Sequence, residues 1–138
     1  MRRDITAFII LGVVVIALAA FLVAQQNKGE AETAQVTGVL QPANLSQTGL
    51  QGRLLFRSGC AECHGSNAEG TDKGPPLLHP FYRPDHHSDG SFFLAARNGV
   101  RAHHWTFGDM PAQPDVTDAD MASIVTYIRA LQKVNGVF

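Results

Sequence analysis

Cys60-Ala61-Glu62-Cys63-His64 holds both cysteines of the 138-residue chain, and a histidine follows the second directly. Such a pair can be a redox couple, half of a zinc site or an attachment point for haem. A thiol–disulfide exchanger places Cys-x-x-Cys at a helix start beside a strand, yet no stretch of this chain alternates like a strand. A structural zinc needs four ligands. Histidines from among His86, His87, His103 and His104 would have to complete it at a spacing unlike a standard finger, and His64 would have no role. Haem attachment employs every residue of the motif. The two thiols add across porphyrin vinyl groups, two intervening residues suit that separation, and His64 becomes the proximal iron ligand. Cys-x-x-Cys-His is specific for that chemistry.

The chain before the motif falls into three parts. Residues 1–4 carry Arg2 and Arg3 and are expected in the cytoplasm. Residues 5–24 are uncharged with only Thr6 polar; as a helix they rise about 30 Å, roughly the hydrocarbon thickness of a bilayer. Positive charge before this span, against Lys28, Glu30 and Glu32 after it, orients the remainder outward. A cleaved signal ending at Ala17-Leu18-Ala19 is the alternative, although Phe21, Leu22 and Val23 prolong the apolar run. Residues 25–47 read as a flexible tether with a root-mean-square span of about 25 Å. No internal repeat is evident.

Residues 48–138 read as the globular domain, with eight basic and nine acidic side chains. That balance offers no broad patch for nucleic acid. A domain this small buries only roughly 60–65% of its unfolded surface, so a covalent cofactor would help to stabilise it. Three helices are expected. One runs near 47–57, with Leu50, Leu54 and Leu55 at helical spacing. A second starts at Ser88 or Asp89 and stops at Gly99. A third is capped by Thr117, has the apolar stripe Met121, Ile124, Val125, Ile128 and Leu131, and ends at Asn135-Gly136. Residues 65–87 and 99–116 are irregular, too much loop to enclose a core unaided.

On these residues the chain resembles a class I c-type cytochrome over about residues 48–134. Gly52 and Phe56 ahead of Cys60, with Ile124 and Tyr127 in the last helix, are similar to the family's pair of crossing helices. Gly-Pro-Pro-Leu at 74–77 resembles its proximal loop, and Phe-Gly-Asp-Met-Pro at 107–111 its distal Met-Pro pair. The resemblance implies an all-α cytochrome c fold of three to four helices around one covalently bound haem c, preceded here by one N-terminal transmembrane helix. It implies Cys60 and Cys63 as attachment points and His64 and Met110 as axial ligands. It also implies that the Pro75 carbonyl accepts the Nδ1 proton of His64 and that Leu77 packs on the haem. Trp105 and Arg97 are candidates for the propionates, with Arg97 more at home on an exposed helix face, and Phe92, Phe93 and Leu94 are expected to line the pocket. Met121 is a rival sulfur that faces the core stripe.

The histidines depart from the family's pattern. His86-His87 and His103-His104 form two doublets and His79 stands alone; they are read as solvated loop residues. An imidazole in place of Met110 is the minor alternative for the sixth ligand, and copper or zinc at the doublets another. The expected function is a membrane-tethered, single-haem electron carrier, not an enzyme, either free or as a haem subunit of an oxidoreductase complex. It would work on the periplasmic side of a bacterial cytoplasmic membrane. Its partners would be the membrane and a quinol-oxidising complex, a dehydrogenase or a terminal oxidase. The alternatives are a haem-based sensor or small catalyst with a dissociable Met110, and a copper-handling protein that uses the doublets.

Overall fold

The computed structural model describes residues 12–22 and 38–138. The chain divides into two compact units, the second of which is Val39–Phe138. In the first unit, helix α1 covers residues 12–22 and is apolar on every face, with exposed side chains such as Ile16 at 71%. The expected span 5–24 runs past these residues at both ends, while residues 1–4 and the 25–37 part of the expected tether lie outside the described residues. Among the described residues no helix is long and apolar enough to cross a membrane.

The second unit contains α2 (Gln47–Gly59), α3 (Ala61–His64), a 3-10 turn (Pro80–Tyr82), α4 (Asp89–Asn98) and α5 (Asp118–Val134). Its β pairing, among the described residues, is a single antiparallel bridge between Val100 and Met110. Two features were not expected from sequence: the 3-10 turn and this bridge. Three residues in the turn and a single pair in the bridge are too few to leave a periodic signal.

α2 and α5 form the centre of the unit. Ser46 caps α2 by accepting a hydrogen bond from the Gly49 amide at 3.1 Å. The buried face of α2 is Gly49, Gly52 and Phe56, with Leu55 partly buried against the core, whereas Leu54 is 61% exposed. Gly52 explains the choice of face. A Cβ on it would lie 1.8 Å from the Ser123 carbonyl oxygen, so only glycine lets α5 come this close. One turn on, Phe56 and Tyr127 meet with ring centroids 5.7 Å apart and no exposed surface on either.

α5 begins in a capping box. The Thr117 side chain accepts from the Asp120 amide at 3.1 Å, and the Asp120 carboxylate accepts from the Thr117 amide at 3.1 Å. From there α5 buries Met121, Ile124, Val125, Tyr127, Ile128, Leu131 and the polar Gln132. At its far end Asn135 grips an upstream strand of chain. The Leu40 amide donates to Asn135 Oδ1 and Asn135 Nδ2 donates to the Leu40 carbonyl, both at 2.9 Å. Val39 is in the hydrophobic core, so the compact unit starts there rather than at residue 48.

Candidate haem site

α3 is a single turn that carries Ala61, Glu62, Cys63 and His64, with Cys60 as its cap. Both cysteines are free thiols and half-buried. Burial, with Cys63 adding to it, pushes the Cys60 thiol up to about 11. A disulfide exchanger needs a thiol lowered toward neutrality, so this environment disfavours that chemistry.

His64 is held by a loop that folds back over the turn. Its Nδ1–H donates to the Pro75 carbonyl at 2.9 Å. Because a carbonyl only accepts, the proton sits on Nδ1 and the Nε2 lone pair is free. Burial lowers the pKa of His64, and the bond to Pro75 partly opposes that, so the ring is neutral at pH 7. The loop is tied down at several points. The Gly70 amide donates to the His64 carbonyl at 2.6 Å and the Thr71 hydroxyl to the Cys63 carbonyl at 2.6 Å. The Leu77 amide donates to the Ala68 carbonyl at 2.9 Å, and Leu77 is buried in the core. Gly74 lies so close that a Cβ there would meet the Cys63 carbonyl oxygen at 2.9 Å. Two free thiols and a neutral imidazole with one nitrogen already oriented make a donor set that fits a haem c.

Met110 lies beyond α4. Its amide and carbonyl each pair with Val100 at 2.9 Å, closing residues 101–109 into a loop, and its side chain is half-buried. Met121 is 6% exposed among core side chains of α5, as its place in the stripe implied. Trp105 donates its indole N–H to the Tyr82 hydroxyl at 3.2 Å and packs edge-on against His79. Phe92 and Phe93 pack on the core, but Leu94 is 56% exposed. α4 buries Ala96; residues two apart on a helix point about 200° away from each other, which turns Leu94 outward. Arg97 is on the exposed face and pairs with Asp118 at 2.7 Å.

Arg129 and Gln132 of α5 brace the loop that carries Leu77, a role not expected from the sequence. Gln132, 1% exposed, donates to the Leu77 carbonyl at 2.9 Å and the Tyr82 carbonyl at 3.1 Å. Arg129 donates to the Tyr82 carbonyl at 2.8 Å, the His87 carbonyl at 2.6 Å, Gln132 at 2.6 Å and Asp89 at 2.7 Å. Together they bind the irregular segment 77–89 to the core helix. The signal was available: Val125, Ile128, Arg129 and Gln132 continue the i, i+3, i+4, i+7 stripe with polar residues.

The doublets lie in loops, with His86, His103 and His104 exposed as expected and His87 half-buried. His86, His87 and His104 are brought together, with one ligand nitrogen from each within 4.8 Å of the others.

The sequence model of the Cytochrome c family matches residues 50–132. No curated protein and no solved structure matches the chain. The matched segment runs from α2 through most of α5 and contains the Cys-x-x-Cys-His motif, so covalent haem c and haem-based electron transfer come with the assignment. With crossing helices at Gly52, a cysteine–histidine turn under a proline carbonyl and this match, the chain belongs to the cytochrome c family.

Proposed function

We propose that the chain is a single-haem electron carrier, tethered to a bacterial cytoplasmic membrane by residues 5–24, with residues 39–138 on the periplasmic side. In this reading Cys60 and Cys63 would hold the haem through two thioether bonds, His64 and Met110 would ligate its iron, and Pro75, Leu77 and Trp105 would complete the pocket. The observation that carries it is the bond from His64 Nδ1 to the Pro75 carbonyl, 2.9 Å long. That bond leaves Nε2 as the ligand atom, fixes the ring plane and raises its basicity.

Bound haem iron supplies a one-electron couple. The Met110 thioether is a soft ligand and raises the reduction potential. Two protein ligands leave no open position for a substrate, which favours carriage of electrons over catalysis. The apolar, uncharged faces of α1 support the tether, since a helix hydrophobic all round belongs in a core or a bilayer. Within residues 39–138 the only lysines are Lys73 and Lys133, and Lys73 is paired with Glu62 at 2.7 Å. Steering by a lysine ring is therefore weak, and attachment to a shared membrane would raise the local concentration near partners instead. The partners fitting this arrangement are a quinol-oxidising complex, a dehydrogenase or a terminal oxidase.

The test is mass spectrometry of the denatured full chain, made in a host able to attach haem. One haem mass on the peptide holding Cys60 and Cys63 is expected; unmodified thiols there would overturn the reading. A Met110→Leu variant should lose the low-spin spectrum and shift the midpoint downward, and an unchanged spectrum would remove Met110 as ligand. Electron transfer to membrane partners should fall when residues 1–24 are deleted at equal bulk concentration.

A further inference from the structure

We propose that His86, His87 and His104 form an all-imidazole site for a divalent transition metal, copper or zinc, separate from the Cys60–His64 and Met110 centre. The three residues come from two loops that are far apart in sequence. Residues 83–87 form a turn in which the His86 and His87 amides donate to the Arg83 carbonyl at 3.1 and 2.7 Å. His104 comes from the loop that the Val100–Met110 bridge closes, a loop further braced by the Ala102 amide donating to Asp109 Oδ1 at 2.8 Å.

One nitrogen from each ring lies within 4.8 Å of the other two. Metal–imidazole bonds of about 2.0–2.1 Å set ligand nitrogens about 3.4 Å apart, so the rings need to close by little more than 1 Å. His86 and His104 are exposed and can turn to do so, whereas His87 is half-buried and already oriented.

The orientation of His87 is the second, independent observation. Its Nδ1–H donates to the Phe81 carbonyl at 2.5 Å, which leaves the Nε2 lone pair as the atom available to a metal. Metal-bound histidines habitually place their other nitrogen on a carbonyl or carboxylate in this way. The backbone of His87 is fixed as well, by Arg129 Nη2 donating to its carbonyl at 2.6 Å. Phe81 packs against His104 with centroids 4.6 Å apart, giving that ring a wall to rest on.

Imidazole suits both copper and zinc, and among divalent ions copper(II) binds such a set most tightly. His103 is adjacent but outside the set: the nitrogens that lie within 4.8 Å of one another belong to His86, His87 and His104, and the His103 ring centroid is 6.4 Å from that of His87.

The experiment titrates the haem-loaded full chain with copper(II) chloride, followed by electron paramagnetic resonance, and with zinc(II) chloride, followed by calorimetry. One equivalent should bind, with copper(II) showing splitting from several nitrogens and displacing zinc. His86→Asn and His104→Asn should each weaken binding about tenfold or more, while His103→Asn leaves it within about threefold. All three variants should keep the visible spectrum of the haem, so a failure of this site is distinguishable from a failure of the haem reading. Binding by neither ion, or binding that survives His86→Asn and His104→Asn together, would overturn the proposal. Equal loss with His103→Asn would overturn the choice of ligands.

Discussion

Gly52 shows how one residue can reverse an expectation drawn from local propensity. In an isolated helix, glycine to alanine gains about 1 kcal/mol. In this fold the added methyl would lie 1.8 Å from the Ser123 carbonyl oxygen, a backbone atom that no rotamer change can move. Gly52→Ala should therefore destabilise the domain by at least about 2 kcal/mol, an overpacking cost larger than the gain in propensity. Thermal unfolding of the haem-loaded protein checks the sign. A higher melting temperature would show that α2 and α5 do not touch at this point. Thr71 offers a gentler test beside the site. Thr71→Val removes the 2.6 Å hydrogen bond to the Cys63 carbonyl and should cost about 1 kcal/mol, measured by chemical denaturation.

Among the elements, α5 was the most legible because its start, its stripe and its end are all written in residue types. Thr117 and the acidic first turn announced the cap, and the capping box formed there with Asp120 at the third position. Hydrogen bonds from the Thr117 side chain and amide lower the Asp120 pKa. A carboxylate with a folded pKa below its unfolded value contributes stability above that unfolded value, near 3.8, and loses it as pH falls through the lower folded value. Thr117→Ala should cost about 1 kcal/mol at pH 7. The difference between variant and parent should shrink below about pH 4, when the carboxylate protonates. A difference independent of pH would assign the loss to the hydroxyl alone. α2 was legible in extent, and Gly52 with Phe56 marked the face that packs on α5; of its leucines, Leu55 packs against the core and Leu54 is exposed.

For the whole domain, Arg129 joins helix to loops. Its guanidinium reaches the Tyr82 and His87 carbonyls, Asp89 and Gln132, and lies 5.0 Å from the centre of the Phe92 ring. Arg129→Met keeps the aliphatic stem but leaves two backbone carbonyls without this donor. It should destabilise the domain by about 2–3 kcal/mol, read by denaturation, as expected when charge-assisted hydrogen bonds to partly buried acceptors are lost. Exposed pairs such as Arg83–Asp85 should contribute under about 1 kcal/mol.

Residue types at short spacing were enough to specify the cysteine–histidine turn, the extents of the main helices and the membership of the family. Those features depend on contacts within one or two turns of chain, which is the range over which sequence pattern acts. The convergence of His86 and His87 with His104, the role of Arg129 and the inclusion of Val39 in the core depended on the tertiary structure. Each joins segments separated by a long stretch of sequence through irregular loops. No periodicity records such a meeting; only the packing of those loops onto α5 decides it.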